Sequence, residues 1–271
     1  MADLNFSDTT AHVDTYIIDG LPARPDLPDF LLDEGRYSYS TRLNAAFELI
    51  ERAVAEGDGE RLAVLNDSGQ WTYWYMATLS SKVSVLLQDR GLVPVNRVLL
   101  RGANSATLFA VWLGVLKAGG VAVTTIPLLR AADLEPIVAR AKPAFAIVDA
   151  ATLETIGDLG CLAGCQMLVF NGDSGKGPLE TELAGQAPIA QPVDTHRDDP
   201  AILAFTSGTT GVPKATVHFH RDLLISADGF SAQCLAPTPD DKFCSSAPIG
   251  FTFGLGASLL FPLRARATSV T

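Results

Sequence analysis

The sequence has little of what would place it in several broad classes. Only four cysteines occur in 271 residues, Cys161, Cys165, Cys234 and Cys244, and their spacing matches no zinc-ligand set. They are expected to be separate reduced thiols of a cytoplasmic protein, with a Cys161–Cys165 metal or redox pair as the alternative. No lysine- or arginine-rich run is present and the formal net charge is −10, which argues against a nucleic-acid or anionic-membrane surface. Residues 1–8 have neither a basic stretch nor an apolar core, so no secretory leader is read there. The longest apolar stretch, 108–126, is interrupted by Lys117 and the pair Gly119-Gly120. It divides into a buried helix and a strand rather than a membrane span.

What the chain does have is apolar bulk, 48% of its residues, enough for a large core and one or two domains. Periodicity predicts strands at 61–65, 97–101, 121–123, 145–148 and 167–170, alternating with helices at 44–55, 73–90, 105–117 and 133–141. That alternation predicts an α/β fold, doubly wound, with mostly parallel sheets flanked by helices and ligands beyond the C-terminal strand ends. Thr72 is placed to cap one helix and either Asn104 or Ser105 the next, while Gly57 and Gly91 supply stops. Helix 105–117 carries two apolar stripes, Leu108/Val111/Trp112/Val115 and Phe109/Leu113/Leu116, so burial on two sides is expected. The proline-rich start, to about residue 40, reads as an extended arm lying on the domain. Over residues 171–200 the composition shifts to Gly, Pro, Asp and Gln. The expected organisation is therefore 1–171 as a first α/β subdomain with its arm, 172–199 as a connection, and 200–271 as the start of a second subdomain.

The densest chemistry lies in Phe205-Thr206-Ser207-Gly208-Thr209-Thr210-Gly211-Val212-Pro213-Lys214, between the strand-like runs 201–204 and 215–219. Its hydroxyls, glycines and terminal lysine supply what a polyphosphate needs: inward N–H groups, side-chain donors and one fixed positive charge. An ordinary polar surface loop is the plain alternative. It is not a Walker A loop, because only two residues separate Gly208 from Gly211 and Val-Pro precedes Lys214. After it come a helix at 221–233, a short strand at 242–244 and the run Ala247-Pro248-Ile249-Gly250-Phe251-Thr252-Phe253-Gly254-Leu255-Gly256, and the last residues look like the middle of another strand. His220-Arg221-Asp222 imitates a kinase catalytic loop, but Ala227 stands where that loop needs asparagine. His218 and His220, two apart on a strand, are weighed as metal ligands against packing or a contact with a nucleotide edge, and packing or the nucleotide contact is preferred because no carboxylate or cysteine stands at useful spacing.

The run Phe205–Lys214 resembles the phosphate-binding motif of the adenylate-forming (acyl-CoA synthetase, AMP-binding) superfamily, and 248–255 with the later Pro262-Leu263 resembles that family's next motif. The segments 71–73, 111–119 and Lys142-Pro143 fit its opening half. Within the superfamily, His12-Val13-Asp14-Thr15, Arg42-Leu43-Asn44-Ala45-Ala46 and 217–224 look most like 2-aminobenzoate- and benzoate-CoA ligases. The resemblance implies the N-terminal domain of such an enzyme, stopped before the β-barrel and the C-terminal domain. It implies ATP, Mg²⁺ and CoA as cofactor and co-substrates and an aryl carboxylate as substrate. Thr206, Ser207, Gly208, Thr209, Thr210, Gly211 and Lys214 would wrap the β- and γ-phosphates, and Gly250, Phe251, Phe253 and Gly254 would border the acyl pocket, with Gly250 widening it for a ring. The alternative for the two phenylalanines is that they are core aromatics at a helix start.

The family's acidic metal-binding motif, ribose-gripping aspartate, hinge and adenylation lysine find no match here, so no catalytic residue is assigned and the metal ligands stay unknown. The expectation is an AMP-forming acid–thiol ligase as the full-length protein, with these residues alone not competent and self-associating, as a homodimer or more, through the edge left at the last strand. The competing readings are a non-catalytic nucleotide-binding or interaction module and a medium-chain fatty acyl-CoA synthetase.

Overall fold

Strand β3 (Arg97–Arg101) is buried at every residue and alternates its faces: Val98 and Leu100 join one apolar cluster, Leu99 the other. Strands β4 (Val121–Thr125) and β5 (Phe145–Asp149) divide in the same way, so the sheet they share is covered on both faces. This is the computed structural model of the chain, and it describes residues 10–27, 37–156, 159–188, 191–206 and 213–271. With β6 (Gln166–Phe170), β7 (Pro200–Thr206) and β8 (Lys214–Phe219) these strands form a six-stranded sheet in the order β6-β5-β3-β4-β7-β8. All neighbours in it are parallel except β7 and β8, which form an antiparallel hairpin.

A second sheet, in the order β2-β1-β10-β9, joins β1 (Leu62–Asn66) and β2 (Gly69–Thr72) to β9 (Lys242–Cys244) and β10 (Thr268–Val270). Strand pairing therefore cuts across the expected division at 172–199. The strands on its far side close both sheets: β7 lies against β4, and β10 lies parallel to β1. The last strand, β10, is interior, flanked by β1 and β9, so the edge expected at the end of the chain is not there. The pairing edges of that sheet are β2 and β9.

Helix Ala106–Lys117 is buried along all twelve residues, as its two stripes require. It packs beside helix Tyr73–Asp89 in the larger apolar cluster, which also holds Ala63 and Val64 of β1. Its N-terminus is capped by Ser105, whose hydroxyl accepts from the Leu108 N–H at 3.1 Å, and helix Tyr73–Asp89 is capped by Thr72 in the same manner. Lys117, fully buried at the far end, meets Glu51 and the Ser81 hydroxyl, and burial pushes the Glu51 carboxyl up against the opposing pull of Lys117.

The arm departs from the extended expectation. It forms one helical turn at Tyr16–Asp19 and a 3₁₀ turn at Arg24–Asp26, and it lies on the sheet's N-terminal edge through Asp14, which pairs with Arg97.

Candidate functional site

Strand β7 ends at Thr206, the first of the residues expected to wrap phosphate. Ala122 of β4 pairs with Ile202 of β7, so Thr206 stands at the C-terminal edge of the parallel strands, the end at which such sheets hold ligands. Thr206 is directly opposite Lys214, the first residue of β8, and both are exposed. The hairpin thus places a hydroxyl and an ammonium side by side at the mouth of the connection 207–213. Ser207, Gly208, Thr209, Thr210 and Gly211 lie outside the described residues.

The same edge is braced by β3. Arg101, fully buried, donates to the carbonyls of Ile126 and Leu129 at 2.7 Å each and to the Thr155 hydroxyl, fixing the segment after β4. Burial holds its guanidinium below the ordinary arginine value. Asn104, just beyond β3, donates from Nδ2 to the Ala247 carbonyl at 2.9 Å and accepts from the Ile249 N–H at 2.9 Å. Both residues escaped the sequence reading of the site. The available signal was that one helix start offered two cap candidates: Ser105 takes the cap, leaving the Asn104 amide free for another task.

The turn 247–255 is packed through glycine. A Cβ on Gly250 would stand 2.8 Å from the Ile126 nitrogen, and one on Gly254 would stand 2.1 Å from the Pro248 carbonyl oxygen. The space a side chain would take at Gly250 is filled by the backbone at the end of β4. The crevice beneath the turn, bordered by Trp112, Thr124, Ala204, Gly250 and Leu255, measures ≈ 10 Å³, room for about one water. Phe251 and Phe253 do sit at the start of helix Thr252–Leu255, but they are 50% and 76% exposed and are not core aromatics. Both present aromatic surface to the outside. A roomier hollow of ≈ 340 Å³ lies elsewhere, between Asp228, Ser231, Phe261 and Arg264, and contains none of these residues.

The two histidines part company. His220 is not on the strand but opens helix His220–Ser226, where its Nδ1 accepts from the Ala45 N–H at 3.1 Å. Burial depresses its pKa to about 4, in keeping with a neutral ring carrying its proton on the other nitrogen. His218 stays on β8 beside Thr216. Asp222, the would-be kinase base, accepts from the Phe219 N–H at 2.9 Å at the start of the helix. Among the described residues no group of three or more His, Cys, Asp or Glu is placed to hold a metal.

Comparison with known proteins agrees with this architecture. A benzoate–CoA ligase of Thauera aromatica is 32% identical over 231 residues, which are 84% of this chain and 44% of that protein. The anthranilate CoA ligase AuaEII, solved in complex with anthranoyl-AMP, superposes with a TM-score of 0.79 at 25% identity, covering 86% of this chain and 44% of that one. ATP-bound MatB of Rhodopseudomonas palustris gives a TM-score of 0.75 at 26% identity, with 85% and 45% covered. The chain thus spans less than half the length of these relatives. Residues 50–271 match the family described as AMP-binding enzyme, and the chain belongs to that family.

Proposed function

We propose that these residues are the N-terminal part of an ATP-dependent aryl-acid CoA ligase acting on a benzoate- or 2-aminobenzoate-like carboxylate. In the first half-reaction a carboxylate oxygen attacks the α-phosphorus of ATP, and the bond to pyrophosphate breaks, leaving acyl-AMP. In the second, the CoA thiolate attacks the acyl carbon and AMP leaves with the electron pair, giving the thioester. The observation that carries the reading is the pairing of Thr206 with Lys214 at the C-terminal edge of the sheet. A hydroxyl donor and a fixed cation there suit the charge that grows on departing pyrophosphate. The relatives' aryl substrates and the exposed faces of Phe251 and Phe253 support an aryl group over an alkyl chain.

ATP fits the donors present. Mg²⁺ finds no carboxylate cluster among the described residues, so it enters only as the ion ATP brings, and no step is routed through it. CoA is inferred from the relatives' names. We further propose a cytoplasmic location, on the cysteine pattern, and that the 271 residues alone complete neither half-reaction. Any self-association through a sheet edge would use an outer strand: β2 or β9 of the second sheet, β6 or β8 of the first.

The test is carboxylate-dependent ATP–pyrophosphate exchange. The full-length protein is expected to exchange with benzoate or 2-aminobenzoate well above a no-carboxylate control, and the isolated 271 residues not at all. Preference for a medium-chain alkyl acid would reject the aryl assignment, and exchange by the isolated residues would reject their proposed incompetence.

A further inference from the structure

The amide of Asn104 is used on both sides by one stretch of backbone. Nδ2 donates to the Ala247 carbonyl and Oδ1 accepts from the Ile249 N–H, each at 2.9 Å, so only one orientation of the amide satisfies both partners. Donor and acceptor two residues apart are what a neighbouring β-strand would offer, and here a side chain 143 positions earlier stands in for the strand. Downstream of the clamp the chain folds onto itself. The Phe251 N–H donates to the Pro248 carbonyl at 3.0 Å and the Leu255 N–H to the Phe251 carbonyl at 2.8 Å. Gly254 presses on Pro248, and Gly250 presses on the backbone joining Thr125 to Ile126. Phe251 is half exposed and Phe253 largely so, which leaves this backbone the main determinant of where they stand.

We infer that Asn104 is a positioning residue for the acyl wall: through the backbone of 247–249 it sets where Phe251 and Phe253 stand relative to the phosphate end of β7. Asn104 follows β3, and β4 lies between β3 and β7, so the clamp ties the aromatic faces to the same rigid edge that carries Thr206 and Lys214. The inference rests on the aryl-ligase reading for the role of the two phenylalanines, but the clamp itself does not. Loosening it should misplace the ring of the carboxylate while leaving the nucleotide grip intact.

The experiment compares Asn104→Ala, Asn104→Asp and Ser105→Ala in the full-length protein. Asn104→Asp keeps an acceptor for Ile249 but faces the Ala247 carbonyl with an anion. Ser105→Ala removes the neighbouring helix cap at a similar cost in stability and leaves the clamp alone. Amide hydrogen exchange at Ile249 is expected to speed up about tenfold in Asn104→Ala, the size of one lost buried hydrogen bond, and to stay unchanged in Ser105→Ala. The KM for benzoate or 2-aminobenzoate should rise about tenfold in Asn104→Ala and Asn104→Asp, with the KM for ATP within about twofold of wild type. Unchanged exchange at Ile249 would overturn the clamp. Faster exchange with an unchanged carboxylate KM, or the same KM change in Ser105→Ala, would overturn the positioning role. Wild-type protein with no carboxylate-dependent turnover would overturn the ligase reading and the acyl-wall role with it, while exchange at Ile249 still decides the clamp.

Discussion

The two ends of β7 are built on opposite plans. At its start the polar groups are buried and matched. Arg221 meets Asp198 at 2.7 Å with both side chains almost wholly inside, and Asp199 accepts from the backbone of Ala11 and His196 and pairs with His12 at 3.0 Å. Burial opposes ionisation of Asp199, but these partners outweigh it and hold its pKa at about 2. At its end, Thr206 and Lys214 are exposed, and the aromatics of the adjoining turn face outward. A hairpin, β7 with β8, that encloses charge at one end and offers it at the other separates holding the fold together from the proposed holding of a ligand. The buried end fixes four segments at once: the arm at 10–12, residues 42–45, the start of β7 and the start of the helix after β8.

Substitutions at the buried end should act on stability, and the largest effect is expected there. Arg221→Ala leaves the Asp198 carboxylate inside without its guanidinium and should cost about 3–5 kcal/mol in chemical denaturation. The next in size is a pH effect. His220 titrates near 4 in the folded protein against about 6.5 unfolded, so the unfolded chain binds the extra proton between those values. The stability it contributes is complete above about pH 6.5 and falls by about 3 kcal/mol as pH drops through the folded value. Asp199, with its low folded pKa of about 2, adds its own loss only below about pH 4. His220→Asn keeps an acceptor for the Ala45 N–H without a titrating ring, and denaturation between pH 4 and 6.5 should then show a flatter slope. A smaller effect, about 1–3 kcal/mol, is expected for Gly254→Ala, whose methyl would run into the Pro248 carbonyl. Thermal unfolding of that variant checks whether the turn is as close-packed as the backbone indicates. Lys214→Ala should be the mildest, within about 0.5 kcal/mol, because the side chain is exposed.

The elements that were legible in the sequence owe their legibility to local chemistry. Thr72 and Ser105 announce helix starts because a hydroxyl there satisfies an otherwise free N–H, and Gly57 and Gly91 mark stops because each takes a positive φ. The two stripes of helix Ala106–Lys117 predicted its burial on both sides. What escaped was decided between distant residues. β2 is a short strand begun by glycine, held only by its antiparallel partner β1. β10 read as strand, but its place did not: it lies between β1 and β9, pairing Ser269 with Val64 across the length of the chain, which no local pattern announces.

The site shows the same division. Thr206 and Lys214 were legible as chemistry, and the hairpin brings them together. The packing at Gly250 was not legible, because its small size answers to the backbone at Thr125–Ile126, 124 positions earlier and invisible from its neighbours. The segments that looked most like benzoate-type ligases include His12, Ala45 and His220, and these meet in the buried network at the start of β7. That part of the likeness therefore records how the fold is fastened, away from the exposed edge where substrate is proposed to bind.

On this contrast we propose that the exposed end of β7 holds nucleotide phosphate and the buried end does not. This is tested most directly by calorimetric titration of ATP with Mg²⁺ into full-length wild-type protein, Lys214→Ala and His220→Asn at pH 7.5. Lys214→Ala is expected to weaken ATP binding at least about tenfold, the loss of one charge-assisted contact, while His220→Asn binds as wild type does. Equal affinity in wild type and Lys214→Ala, or a loss confined to His220→Asn, would contradict it.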